Sequence, residues 1–438
     1  MHKNPQQVKL MDKINIFWFR RDLRLEDHYG LFRALESGRK VLPVFIFDTH
    51  ILDRLENPYD RRVDYIHQAL QGIHTALREM GSGLKVFYGK PEETFKDLMS
   101  VFSIETVFCT NDYEPEALER DRQIAEWLGT ESIGFISFKD QVIFERDDVM
   151  KSNGSPYTVF TSYAKKWKEC LTEVGCQTYK PDLMGLLKFD AEELIPLERI
   201  GFKKTDLLFF PPEIDMETVK HYHLYRDFPA IDKTSHLGMA LRFGTLSVRK
   251  CVKIARSYNE IWLNELIWRE FFMQILYHFP HVVDHCFKPA YEAVAWRNNE
   301  EEFKAWCGGN TGYPLVDAGM HQLNKTGWMH NRVRMVTASF LTKHLLIDWR
   351  WGEAYFASKL LDYELASNNG NWQWAAGCGA DAAPYFRIFN PDAQTQKFDK
   401  NLEYIRKWNP GFQDVFKTPP MVNHQKARER ALLVYGAI

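Results

Sequence analysis

Between residues 14 and 140, five short runs rich in β-branched and aromatic residues (INIFWF, VLPVFIF, LKVFYG, TVFCT and IGFISF) alternate with amphipathic helical stretches at Arg61 to Met80, Glu92 to Phe102 and Glu116 to Leu128. Apolar runs joined through helices form a parallel sheet that must be covered on both faces, so the alternation predicts a doubly wound α/β domain over 14–140. Neither G-x-G-x-x-G nor G-x-x-x-x-G-K follows the first run, so no phosphate cradle of the usual dinucleotide or P-loop kind is expected there. Residues 141–205 lose the alternation, carry SNGSPYT and lone prolines, and read as an interdomain linker with one or two helices. From about Phe209 strands give way to long amphipathic helices, which predicts an all-α domain over 206–438.

A chain of 438 residues that is 45% hydrophobic can fill more than one core. Its net charge of −2 excludes a globally basic nucleic-acid binder, so a nucleic-acid partner would have to meet a local basic patch. The seven cysteines form an odd set without C-x-x-C, which suggests reduced thiols and a cytoplasmic protein. The longest apolar runs, such as Ile16 to Phe19 and Val41 to Phe47, fall well short of the roughly 18 residues a membrane span requires. Met1 to Lys13 is polar and lacks the apolar core of a secretion signal. Tryptophan is the one asymmetry: ten of thirteen lie beyond residue 260, so whatever uses indole rings is built by the C-terminal half.

Within that half, Asp362 to Arg387 shows neither helical nor strand periodicity, yet it combines Trp372, Trp374, Asn368, Asn369 and Asn371 with ten Gly, Ala or Ser residues. Small residues allow close backbone approach, and amides beside π-faces suit one wall of an aromatic cofactor; a Gly-rich turn followed by a short helix is the competing account. In Asp232 to Arg249, Thr234 and Ser235 can cap a helix starting near Leu237, and such a helix start also binds phosphate. In Trp262 to His278, Glu265, Trp268, Arg269 and Phe272 fall on one helical face, either as a ligand surface or as an ion pair with aromatic packing. His281 and His285 have the spacing of a metal pair but lack a third ligand, so no metal is expected. In Gly327 to Trp351, Trp328, Asn331, Arg332 and Met335 repeat the same facial spacing. Lys325, His330, Arg332, Arg334, Lys343, His344 and Arg350 there suggest a basic surface for a phosphate backbone, or else a solvated face paired with acids.

WFRRDLRLEDH at 18–28, TSHLG at 234–238, NELIWREF at 264–271, TGYPLVDAGMHQLNKTGWMHNRVRM at 311–335 and FNPDAQTQKFD after the Asp362 stretch resemble the DNA photolyase/cryptochrome family, most closely the class I cyclobutane pyrimidine dimer photolyases. The resemblance spans essentially the whole chain in order. It implies an α/β antenna-type domain, a linker, and a helical domain that binds FAD and admits a pyrimidine dimer flipped out of UV-damaged DNA. By motif position, FAD would be held by Tyr222, Thr234, Ser235, His236, Leu237, Gly238, Trp262, Arg269, Arg334, Asp362, Glu364 and Asn368. Asp362 would pair with Arg334, and Asn368 would sit against the flavin N5. The lesion would be met by Glu265, Trp268, Trp328, Asn331, Met335 and Trp374, with Arg226, Arg332, Arg387 and Gln394 near the DNA. Trp372, Trp349 and Trp296 would carry electrons from the surface to the flavin. The chemistry implied is photochemical: reduced FAD absorbs blue or near-UV light, an electron passes to the dimer, the ring splits and the electron returns.

Departures from the family pattern are expected to matter locally. The usual TSRLSP is TSHLGM here, so His236 and Gly238 replace a guanidinium and a hydroxyl near the cofactor phosphates. Ala117 in Tyr113-Glu114-Pro115-Glu116-Ala117 cannot hydrogen-bond a pterin, so no folate antenna is expected and any second chromophore is left open. A cryptochrome-type blue-light receptor and a (6-4) photolyase are the alternatives. Trp268, Met335, Asn368, the absence of paired histidines in Trp328-Met329-His330-Asn331, and the chain's end at Ile438 favour repair of cyclobutane dimers, and a monomer is expected.

Overall fold

The computed structural model describes residues 12–209, 212–412 and 419–438. The polar start read at 1–13 thus lies outside the described residues up to position 11. The chain forms two compact units that interleave along the sequence. One comprises Met1–Glu145, Gly175–Glu213 and Ala240–Lys253; the other comprises Arg146–Val174, Ile214–Met239 and Ile254–Ile438.

In the first unit β1 (Ile14–Phe19), β2 (Val41–Asp48), β3 (Lys85–Gly89), β4 (Ile104–Thr110) and β5 (Gly134–Phe138) make one parallel sheet in the order β3-β2-β1-β4-β5. All residues of β1 and β2 are buried, as continuous apolar runs at the centre of a covered sheet should be. The long crossover helices are α1 (Arg61–Arg78), α2 (Pro91–Val101) and α3 (Pro115–Thr130). Asp60 caps α1 by accepting from the Arg62 N–H at 2.8 Å, and α2 and α3 begin with a proline whose missing N–H costs nothing there. Beyond the ends of β1 and β4, where the strand order reverses, charged pairs fill the space: Arg20 with Asp121, and Arg21 with Asp112 and Glu114.

Residues 240–253 belong to this unit through buried polar contacts. Arg249 reaches Asp27 at 3.1 Å and Asp140 at 2.9 Å, Arg24 also pairs with Asp140, and the Tyr65 hydroxyl meets Thr245 at 2.8 Å. Arg24 and Arg249 hold the buried Asp140 carboxyl well below the usual range, against the cost of burial.

The second unit holds no β-strand among its described residues; its long regular elements are helices. It contains α4 (Phe160–Val174), α5 (Met216–Tyr225), α6 (Glu260–His278), α7 (Pro314–Thr326), α8 (Asn331–Ser339), α9 (Trp349–Lys359), α10 (Leu365–Ala376), α11 (Pro391–Phe398) and α12 (His424–Gly436). Asn259 caps α6 through the N–H groups of Ile261 and Trp262. Most of α6 is buried on all sides, which makes it the central helix of the bundle. The stretch read as a linker is divided: it supplies α4 to the helical unit, where Trp167 donates to the buried Glu270 at 2.6 Å, while 175–213 lies with the sheet. No described helix is long and apolar enough to cross a membrane, and no cluster of three or more candidate metal ligands occurs among the described residues.

Candidate active site

The site is organised by α10, the former wall of uncertain structure, which is a twelve-residue helix ended by Gly377 at φ 89°. Its apolar period is invisible because both sides are in use. Asn369 and Gln373 turn to the protein interior and donate to the Val282 carbonyl at 2.8 and 2.9 Å, so Asn369 leaves the proposed cofactor wall. Ser367, Asn368, Asn371, Trp372, Trp374 and Ala375 face a shared cavity lined by both apolar and polar side chains. Asn331, Arg334, Met335 and Ala338 of α8, Phe356 of α9, and Leu360, Asp362, Tyr363 and Glu364 complete the lining.

Guanidinium–carboxylate pairs border this cavity. Arg334 meets Asp362 at 2.8 Å, as the resemblance implied, and Arg269 meets Glu364 at 2.9 Å. The Ser367 hydroxyl donates to Glu364 at 2.9 Å, a contact no sequence motif announced. Asn368 donates its amide to Glu353, to the carboxylate at 2.8 Å and to the backbone carbonyl at 3.1 Å, so its own oxygen remains available for a ligand. Burial raises the Glu353 carboxyl, partly offset by the Asn368 hydrogen bond. Glu353 escaped the sequence reading because its role depends on a partner fifteen positions on and one helix away.

The chemistry around the cavity fits a flavin dinucleotide. The Thr234 hydroxyl is buried without a hydrogen-bond partner, a cost of about 1–3 kcal/mol unless something occupies it. At Gly238 a Cβ would stand 2.9 Å from Asp362 Cβ and Oδ2, so the substitution of serine by glycine in TSHLGM leaves room beside the acid. Leu237 and Trp262 are buried and Ser235 is half-buried. His236, expected near the phosphates, adopts φ 50°, hydrogen-bonds Asp232 at 2.6 Å and lies 4.4 Å from the Trp328 ring.

The residues expected at the lesion divide into those at the cavity and those beside it. Asn331, Met335 and Trp374 line it. Glu265 is paired with Arg226, whose guanidinium also lies 5.3 Å over the Tyr222 ring. Burial raises the Glu265 carboxyl despite Arg226. Burial likewise raises the Tyr222 phenol. Trp268 is part-buried in an aromatic stack. Arg332 pairs with Asp227 at 2.5 Å and covers Phe398, Arg387 is exposed beside Phe389, and the Gln394 amide oxygen is buried without a partner.

Two sequence expectations require correction. Trp328 does not share a helical face with Asn331, Arg332 and Met335, because His330 caps α8 by accepting from Arg332 N at 3.2 Å and the helix starts only at Asn331. The basic surface is also largely lost. His330, Lys343 and His344 are buried, Arg332, Arg334 and Arg350 are paired with Asp227, Asp362 and Glu292, and of the seven Lys325 is the one that stays exposed.

Trp372 and Trp349 are 2% and 1% exposed, whereas Trp296 is half-buried with its ring 6.0 Å from Tyr435. Trp372 also meets Phe356 at 5.0 Å and the fully buried Trp306 at 6.1 Å.

Family models match the chain twice, as DNA photolyase over residues 15–182 and as the FAD binding domain of DNA photolyase over 262–419. The deoxyribodipyrimidine photo-lyase of a Synechococcus species is 34% identical, the alignment covering 97% of this chain and 96% of the relative. The chain belongs to the DNA photolyase/cryptochrome family. The Escherichia coli deoxyribodipyrimidine photo-lyase is 36% identical over 97% of this chain and 98% of its own. Among solved structures, a class III photolyase from Agrobacterium tumefaciens superposes with a TM-score of 0.83 at 33% identity, covering 99% of each chain. These matches carry the family and its FAD-binding helical domain; a class III enzyme among them means that they do not assign the chain to class I.

Proposed function

We propose that this chain is a deoxyribodipyrimidine photo-lyase, a flavoenzyme that uses light to split cyclobutane pyrimidine dimers in UV-damaged DNA. Full-length similarity to relatives of that name, at 34–37% identity over 97% of the chain, carries the reading. The cavity of the helical unit supplies its chemistry. Bound FAD, once reduced, supplies light absorption and a transferable electron.

The protein's own residues do the rest. Arg334–Asp362 and Arg269–Glu364 present fixed polar edges to the cofactor, and Thr234 offers a hydroxyl without another partner. Asn368, held by Glu353, turns its carbonyl oxygen to the ligand. Trp374, Met335 and Asn331 give the cavity an apolar and an amide surface suited to an extruded pyrimidine pair, and Glu265, ion-paired with Arg226, adds a carboxylate beside it. Trp372, Trp349 and Trp296 would relay electrons inward. We read the enzyme as a cytoplasmic monomer that acts on DNA.

The deciding assay is illumination of chemically reduced protein with an oligonucleotide carrying one thymine dimer, followed by chromatography. Light-dependent loss of dimers with recovery of intact thymines is the expected result. Persistence of the dimers in a flavin-loaded preparation would overturn the reading and leave a photoreceptor.

A further inference from the structure

Phe160 opens α4, in a stretch whose sequence suggested only a linker, yet its ring lies flat on the indole of Trp268. Their centroids are 3.7 Å apart and their planes 4° from parallel. Both belong to the helical unit. Phe160 is itself held on several sides: its ring meets Phe271 edge-on at 5.9 Å, its backbone N–H donates to Asp381 Oδ2 at 3.2 Å, and it is 9% exposed. Phe272 lies 5.4 Å from the same indole at 30°, and Phe272 in turn packs on Gly370 of α10, next to the cavity residues Asn371 and Trp372. Trp268 nevertheless stays partly exposed.

The torsion that turns an indole about its stem is broad, so a part-exposed tryptophan ordinarily samples several ring planes. A second ring stacked flat on one face removes that freedom in advance, and ordering before binding lowers the cost of recognition. We propose that Phe160 is a positioning residue for lesion recognition, fixing the plane in which Trp268 meets the extruded pyrimidine pair. The inference rests on the reading of Trp268 as a lesion-contacting residue. Phe160 has no group that could join the reaction, so its effect belongs to binding and not to ring splitting.

The test uses flavin-loaded protein and a dimer-containing oligonucleotide. In Phe160→Leu, or in the better-filling Phe160→Met if the leucine variant fails to retain flavin, the Kd for the dimer should rise roughly three- to tenfold, the worth of one aromatic pair. Affinity for the undamaged strand and repair per photon at saturating dimer should stay as in the parent, and Phe160→Tyr, which keeps the ring, should restore dimer binding. On a Trp268→Ala background, Phe160→Leu should add nothing. An unchanged Kd, or the full penalty persisting without Trp268, would overturn the positioning role alone. If Trp268→Ala itself leaves the dimer Kd unchanged, the lesion reading of Trp268 fails and the inference falls with it.

Discussion

Both amide N–H interactions of Asn368 go to Glu353, which settles the direction of its carboxamide more firmly than packing alone would. Replacing Glu353 by leucine lets the amide turn over. The reduced flavin should then re-oxidise in air roughly five- to tenfold faster, as expected for one hydrogen bond worth about 1 kcal/mol, while Glu353→Gln should act more weakly because an acceptor survives. Recovery of flavin absorbance after photoreduction measures this, and identical recovery in Glu353→Leu would remove the orienting role. At this scale the sequence exposed what its motifs carry contiguously, such as Arg334, Asp362 and Asn368. It hid whatever depends on a distant partner. Asp227, Glu292 and Asp362 neutralise what looked like a basic surface, and none is adjacent in the chain to the cation it pairs with.

Helix α10 sits where two neighbours approach it without a side chain between. A Cβ on Gly370 would stand 2.1 Å from the Phe272 ring of α6, and a Cβ on Gly352 of α9 would stand 2.2 Å from Trp372. Although alanine is the better helix former, Gly370→Ala should destabilise the protein by about 1–3 kcal/mol through overpacking, read from urea unfolding. A neutral result would mean that Phe272 yields freely. Helix α8 carries a pH signature through its cap. Burial, with Arg334 and Arg332 adding to it, pushes the His330 imidazole down to about 4. Since the unfolded chain protonates this group near pH 6.5, the stability gained by keeping the buried ring neutral is complete above that value. It is lost as pH falls toward 4, on the order of 3 kcal/mol, because burial and the two guanidiniums disfavour the charged imidazole. His330→Asn, a cap that does not titrate in this range, should flatten the fall in Tm between pH 7 and 5. Elements with one buried character were legible from the start: the central strands β1, β2 and β4, as apolar runs, and α1 to α3, as amphipathic helices. Those buried on two sides, like α10, or begun late by a side-chain cap, like α8, lack the period that betrays them.

At the scale of the helical unit, Trp372 has an indole neighbour, Trp306, on the core side while it also faces the cavity. Trp306 is fully buried, with its N–H given to the Thr337 carbonyl. Trp372→Phe should therefore slow photoreduction of oxidised flavin by an order of magnitude or more, while repair by chemically reduced enzyme stays nearly intact. Trp306→Phe should leave both as they are. Transient absorption after a laser flash distinguishes them, and equal slowing in the two variants would reroute the electron path. The sequence reading anticipated a sheet followed by a helical body, yet it could not show the chain returning, since Arg249 reveals its allegiance only through Asp27 and Asp140. That return bears on birth as well as on form. On the ribosome the last strand emerges about 115 residues before the segment ending at Lys253, on the order of ten seconds at ordinary elongation rates. During that interval neither Asp27 nor Asp140 has its Arg249 partner, so the nascent sheet waits without its last buried ion pairs.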